Sequence, residues 1–374
     1  MVLDGYGSQS SVSTPGISRR IMEKHGAAIT HKTGMRWLPA LARLGLAAEA
    51  VMPIEQDHSP WAYAGAIAGR MIVRPRPNTF GLLFAMRGSI VPQIALRVLV
   101  VAAVSAVIEA THSVRPGLVP ELPATPFTLL GLGLSIFLGF RNSACYDRWW
   151  EARKQWGQLV TEARCLSREV SALLPADELA RQVITRRIIG FAHALAARLR
   201  GLDAAAAARP WLPADEAMAP GSRINPPDAI LRAVTADLGG CLRRGKIGEI
   251  GFATLEARVA SLSAVQAACE RIKTTPTPFA YSLLLHRTAW LFCLLVPFAL
   301  VGSAGAAAPL AAAILAYAFF GLDALGDELE EPFAPLPNTL PLNALVRIVE
   351  IELRESMGET ALPPLLEPVD SLLQ

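Results

Sequence analysis

The sequence predicts an all-α membrane protein with four transmembrane helices per subunit and a cytosolic helical region. Of its 374 residues, 52% are hydrophobic and 18% are charged, whereas soluble globular chains carry about 25% charged residues. Several apolar stretches are long enough to cross a bilayer, and the segments between them have the period of amphipathic helices. No segment shows the strict alternation of a β-strand.

Four apolar stretches define the predicted spans. The first, residues 90–110, reaches across about 30 Å of hydrocarbon at about 1.5 Å per residue. The second, residues 127–140, is short, but it continues as a helix into a polar segment rich in Arg and Trp. The third and fourth, residues 279–301 and 306–322, are joined by the tight connection 302–305. The chain therefore crosses the membrane as two hairpins.

The distribution of basic residues orients these hairpins. The two short loops, residues 111–126 and 302–305, contain Arg115 as their one strong base. The opposite ends of the spans are rich in basic residues, so we expect both chain termini in the cytoplasm. The basic residues at those ends are Arg74, Arg76, Arg87, Arg141, Arg148, Arg153, Lys154, Arg271 and Lys273.

The region between the hairpins, residues 141–277, is predicted to be cytosolic and helical. A loop rich in Pro and Ala, residues 201–227, interrupts it, and a further helix follows the last span before the tail 356–374. Residues 1–70 are polar or rich in Ala and Gly, and we interpret them as a poorly ordered extension or a mis-assigned start. The helices predicted outside the membrane are 141–174, 177–199, 228–242, 250–272 and 342–355.

The second span carries an apolar stripe formed by Leu132, Ile136 and Phe140. These residues recur at i, i+4 and i+8, so they stack on one helical face. Small residues between them allow close approach of neighbouring helices. Such a face is typical of a helix that lines a tight pore, and it also fits a hairpin whose leucines pack in a core.

Two charged features lie near the second hairpin. Arg287 falls inside the third span, where a charge is costly unless it is paired or faces water. It either snorkels to the interface or pairs with Asp323 or Asp327, which lie on the same side of the membrane. The acidic segment 327–332 is interpreted as a solvated helix end or as a set of partners for interfacial arginines.

Signals of other function classes are weak. The sequence has no nucleophile elbow, phosphate-binding loop, dinucleotide fingerprint or zinc-protease motif, so we expect no enzyme and no cofactor. Its five cysteines form no C-x-x-C pair, and no His lies at zinc-ligand spacing from them, which predicts no metal site. A formal net charge of +3 without basic and aromatic clusters gives no support for nucleic-acid binding.

Three separated motifs resemble segments of the bestrophin family of ion channels, in its bacterial branch. They are FLGFRNSACYDRWWEARKQWG at 137–157, ERIKTTPTPFAYSLLLHRT at 270–288 and DELEEPFAPLPNTLPLN at 327–343. Their order and spacing place a bestrophin channel domain at residues 71–355. The resemblance implies a homopentamer around one central pore in the bacterial inner membrane, with the bilayer and the permeant ions as its other partners.

The resemblance also implies roles for particular residues. Leu132, Ile136 and Phe140 correspond to a hydrophobic neck, in agreement with the stripe found above. Ile250, which the pattern alone would assign to a core, corresponds to a cytosolic aperture. The acidic run that binds calcium in animal members is missing after Phe333, where Ala334 replaces the usual Gly. We therefore expect no calcium gating.

The expected permeant ions are chloride and other anions, with sodium or potassium as the alternative. Animal and plant members of the family pass anions, and some bacterial members pass cations. Glu249 beside Ile250 favours cations, whereas Arg141 below the neck favours anions, provided that it faces the pore and does not form salt bridges between subunits. A more remote alternative is a membrane scaffold without conduction.

Overall fold

The computed structural model describes residues 88–214, 224–336 and 338–368, and this part of the chain is helical without any strand. The predicted extension, residues 1–70, lies outside the described residues. Short 3₁₀ turns connect some of the helices. The nine α-helices of the described part are α1 Val91–Val114, α2 Ala124–Leu173, α3 Glu178–Leu199, α4 Ala204–Ala208, α5 Pro226–Arg243, α6 Glu249–Thr274, α7 Phe279–Ala304, α8 Ala308–Glu330 and α9 Leu342–Ser356.

Three stretches of the described part are long and apolar enough to cross a membrane: Val91–Val114, Ala124–Leu173 and Phe279–Glu330. The third stretch is folded back on itself at Gly305, whose φ of +49° favours glycine. Ring contacts hold its two legs, α7 and α8, side by side. The ring centroids of Phe292 and Phe319 lie 4.9 Å apart, although 26 residues separate the two positions.

Helix α2 runs through 50 residues without interruption, which corresponds to about 75 Å. The prediction that the second span continues as a helix into a polar segment is therefore confirmed. The first half of α2 packs Leu134 and Leu138 into an apolar cluster with α1, α7 and α8. Its second half packs Trp156 and Leu166 into a larger cluster with the helices outside the predicted spans. One continuous helix thus belongs to both cores.

The helices outside the predicted spans lie close to their predicted positions because their capping residues can be recognised in the sequence. Asp177 accepts a hydrogen bond from the backbone N–H of Ala180 at the start of α3, as expected of an N-cap. The prediction of a loop rich in Pro and Ala over 201–227 is wrong at α4. There Asp203 caps a run of five alanines, the residue with the highest helix propensity.

Candidate functional site

The apolar stripe of α2 lies on the surface of the protomer. Leu132, Ile136 and Phe140 expose 60%, 42% and 64% of their area, whereas Leu134 and Leu138 between them are buried. The two sets point in opposite directions because two residues correspond to about 200° of rotation. A row of large apolar side chains without cover needs lipid, another chain or a dry constriction to shield it from water.

Ile250 and Glu249 occupy the first turn of α6, after Gly248 as the N-cap. Ile250 is 86% exposed, and Glu249 is exposed as well. The carboxylate of Glu249 is favoured there by the positive end of the helix dipole. The structure therefore presents an apolar and an acidic side chain together at the surface, and it does not bury Ile250 in a core.

Arg141 is buried with Asp323, both being 1% exposed. Its Nη1 donates to the carboxylate of Asp323 at 3.0 Å and to the backbone carbonyl of the same residue at 3.2 Å. Its Nη2 donates to Asp327 and, at 3.4 Å, to Glu330. The guanidinium is thus held by α8 of its own subunit. Within the subunit, Arg141 is therefore held among buried residues, and its roles at a pore or between subunits stay predictions.

The burial of Arg141 follows from the geometry of α2. Arg141 comes one residue after Phe140 and is therefore rotated by about 100° from the stripe. It continues the buried row formed by Leu134, Leu138 and Cys145. Counting from those leucines at helical spacing would have placed Arg141 inward, so the sequence did hold the signal.

Two further side chains complete the site around Asp323. The Nδ1 atom of His286 lies 2.6 Å from the Asp323 carboxylate, and Arg97 approaches it at 3.9 Å. Sequence reasoning missed both residues. We call the whole set the charged cluster; helices α1, α2, α7 and α8 each contribute to it, and its members are Arg97, Arg141, His286, Asp323, Asp327 and Glu330.

The predicted ion pair between Arg287 and Asp323 or Asp327 is replaced by these contacts. In the described part of the chain, Asp323 and Asp327 are paired with Arg141, and Arg287 is exposed. The physical reason is again the rotation of about 100° per residue. Because His286 faces α8, the next residue points away from it.

The acidic end of α8 also ties other elements together. Glu330 accepts from the backbone N–H of Thr277 at 3.0 Å, and its own carbonyl accepts from Arg148 at 2.7 Å. Glu328 accepts from Gln93 at 2.6 Å. These carboxylates therefore act as partners within the fold, and the described residues contain no group of His, Cys, Asp and Glu that could hold a metal ion.

Glycine at position 326 permits the close approach of α2 and α8. A Cβ atom added to Gly326 would lie 2.7 Å from the side-chain oxygen of Asn142 and 3.0 Å from Nη1 of Arg141. Both distances are shorter than ordinary van der Waals contact. The charged cluster thus requires a residue without a side chain at this turn of α8.

Residues 71–355 match a family model described as Bacterial/Fungal Bestrophin protein. This chain belongs to the bestrophin family. Over 300 residues it is 45% identical to a voltage-dependent anion channel-forming protein of Mesorhizobium japonicum, covering 80% of this chain and 96% of that relative. A protein of the same description from Escherichia coli K12 is 38% identical over 300 residues, covering 80% and 98%.

A solved structure of a bacterial bestrophin homolog from Klebsiella pneumoniae is similar to this bestrophin with a TM-score of 0.69 at 36% identity. The similarity covers 71% of this chain and 99% of that one. The resemblance inferred from the three motifs is therefore confirmed. The protein is an all-helical membrane protein with the bestrophin fold.

Proposed function

We propose that this bestrophin is a passive channel for monovalent anions, chloride foremost, formed by five copies around a central pore. Each subunit crosses the bacterial inner membrane four times, through α1, the first half of α2, α7 and α8, and both termini lie in the cytoplasm. The observation that supports this proposal is the exposed apolar stripe of α2. A channel uses such a face to form a hydrophobic constriction, whereas a hairpin packed in a core would bury it.

Five copies of Leu132, Ile136 and Phe140 form a dry neck in this proposal. A hydrophobic constriction excludes water when narrow and conducts when slight widening lets water enter. The ring edges of Phe140 carry partial positive charge, which eases the passage of an anion. Ile250, exposed at the start of α6, forms a second constriction on the cytosolic side.

The choice of anions is supported by relatives that are described as anion channel-forming proteins. One observation favours the alternative, a sodium or potassium channel. Glu249 stands exposed beside Ile250, where five copies would attract cations. Because Arg141 is buried, the positive charge that was expected to favour anions below the neck is not exposed on the subunit.

Reconstitution of the purified protein in planar bilayers tests the channel and its selectivity together. Under an asymmetric KCl gradient, we expect a current that reverses near the chloride equilibrium potential. Reversal near the potassium equilibrium potential would establish the cation alternative. Absence of current from both the wild type and Ile136→Ala would favour the alternative of a membrane scaffold without conduction.

Replacing Ile136 by Ala tests the neck itself. We expect a larger single-channel conductance, because a smaller side chain widens and wets the constriction. Ile314→Ala is the matched control, since Ile314 is 59% exposed but lies on α8, outside the proposed pore. Equal conductance of Ile136→Ala and the wild type would refute the neck assignment.

The mass of the assembly tests the number of subunits. Five copies of a 40.0 kDa chain should appear as one species in light scattering once the detergent contribution is subtracted. A stable monomer would contradict any pore that subunits form together.

A further inference from the structure

The face of α2 that carries the apolar stripe continues beyond the membrane. Seven residues rotate a helix by about 700°, which is 20° short of two full turns. Asp147 therefore stands almost directly below Phe140 on the same face, about 10.5 Å farther along the axis. Lys154 follows after another seven residues, at about 21 Å from Phe140.

Both charges on this face are available to ions. Asp147 and Lys154 are exposed, and within the described residues neither side chain takes part in an ion pair or a hydrogen bond. Their neighbour Glu151 is engaged by Arg271. Arg148, adjacent to Asp147, donates to the backbone carbonyl of Glu330, so it is directed toward α8 and away from this face.

We propose that Asp147 lowers the selectivity of the channel for anions over cations. This inference rests on the proposed function, because five subunits are needed to bring five carboxylates around the pathway. The ring of carboxylates lies immediately below the neck, at the point where an ion leaves or regains its full hydration. It raises the local concentration of cations and lowers that of anions.

Distance makes Asp147 the dominant charge on this face. With a Debye length of about 8 Å, a screened charge at 10.5 Å acts on the position of Phe140 about sevenfold more strongly than one at 21 Å. Lys154 therefore offsets only a small part of the effect. By the same estimate, five carboxylates in water, each no closer than 10.5 Å, change the ratio of cations to anions at Phe140 by at most about sixfold.

Reversal potentials in planar bilayers under an asymmetric KCl gradient test the proposal. Asp147→Asn should raise the ratio of chloride to potassium permeability by up to about sixfold. Asp147→Glu keeps the charge and should reproduce the wild-type reversal potential. Lys154→Gln should move the reversal potential by a smaller amount in the opposite direction.

Ionic strength separates a charge effect from a structural one. At about 1 M salt the Debye length falls to about 3 Å, so the difference between Asp147→Asn and the wild type should largely disappear. A difference that persists at high salt would mean that the substitution reshapes the pore, and it would overturn the proposal.

The remaining outcomes are equally distinct. A conducting Asp147→Asn channel with the wild-type reversal potential overturns the role of Asp147 and leaves the channel intact. Failure of the wild type to conduct overturns the proposed function and the role of Asp147 with it. Asp147→Ser, also neutral, provides the same comparison in the event that Asp147→Asn does not assemble.

Discussion

Replacing Arg141 by Met should destabilise the protein strongly, because it leaves the buried carboxylate of Asp323 without its main partner. Asp323 is 1% exposed and receives two hydrogen bonds from Arg141, one to its carboxylate and one to its carbonyl. Methionine fills a similar volume without a charge, so the effect of the substitution is electrostatic more than steric.

The magnitude follows from what remains around Asp323. Removing one partner of a buried ion pair costs about 3–5 kcal/mol. His286 at 2.6 Å and Arg97 at 3.9 Å still compensate part of the charge, so we expect the lower end, about 3 kcal/mol. At about 2.1 cal/mol/K of unfolding entropy per residue, this loss corresponds to a fall of roughly 4–5 °C in Tm for a chain of this size.

Thermal unfolding in detergent, followed by circular dichroism, measures the change. Arg271→Met is the matched control, because Arg271 pairs with Glu151 on the surface and such exposed pairs contribute about 0–1 kcal/mol. The double variant Arg141→Met with Asp323→Leu should recover most of the loss, since both charges are gone. Equal Tm values for Arg141→Met and the wild type would refute this account of the cluster.

Three further outcomes follow from the structure. Gly131→Ala should lower the free energy of unfolding by about 1–3 kcal/mol, because its Cβ would meet the Phe292 ring at 3.0 Å; an unchanged denaturation midpoint would exclude this contact. Burial acts to raise the pKa of Glu350, but His193 and two arginines outweigh it and the net pKa is lowered. The ionised Glu350 therefore stabilises the protein above the unfolded pKa, and this stabilisation is lost as pH falls through the folded pKa. Glu350→Gln should lower Tm at pH 7 and should lower it less below about pH 4. An equal loss of Tm at the two pH values would contradict the direction of the pKa shift. Burial raises the pKa of Cys269 to about 12, so mass spectrometry should find it unmodified by iodoacetamide at pH 7.5 in the folded protein, and rapid labelling would disprove its burial.

The helices could be predicted from the sequence because their signals are local. The apolar half and the polar half of α2 keep one helical period, so the predicted continuity across residue 140 is what the structure contains. The start of α3 is similarly fixed by Asp177 and its capping hydrogen bond. Local chemistry specified where each of these elements begins and how far it extends.

The charged cluster could not be predicted in the same way, because it depends on the rotation of several helices about their axes. Asp323 is hydrogen-bonded to residues that are 182 and 37 positions away in the chain. The sequence shows that Arg287 and Asp323 share one side of the membrane, but a difference of one residue decides that His286 makes the contact. The lining of the pore by the stripe stays a prediction, which conductance measurements test.

Because α2 is continuous, a tilt about a fixed point would move its two ends in opposite directions. Arg141 is anchored to α8, with Leu132 about 13.5 Å away toward one end of α2 and Leu173 about 48 Å away toward the other. With α2 pivoting as a straight rod at Arg141, a sideways displacement of about 3.5 Å at Leu173 would move Leu132 by about 1 Å in the opposite direction. Rearrangements among the helices packed against the second half of α2 would thus reach the apolar stripe reduced in amplitude.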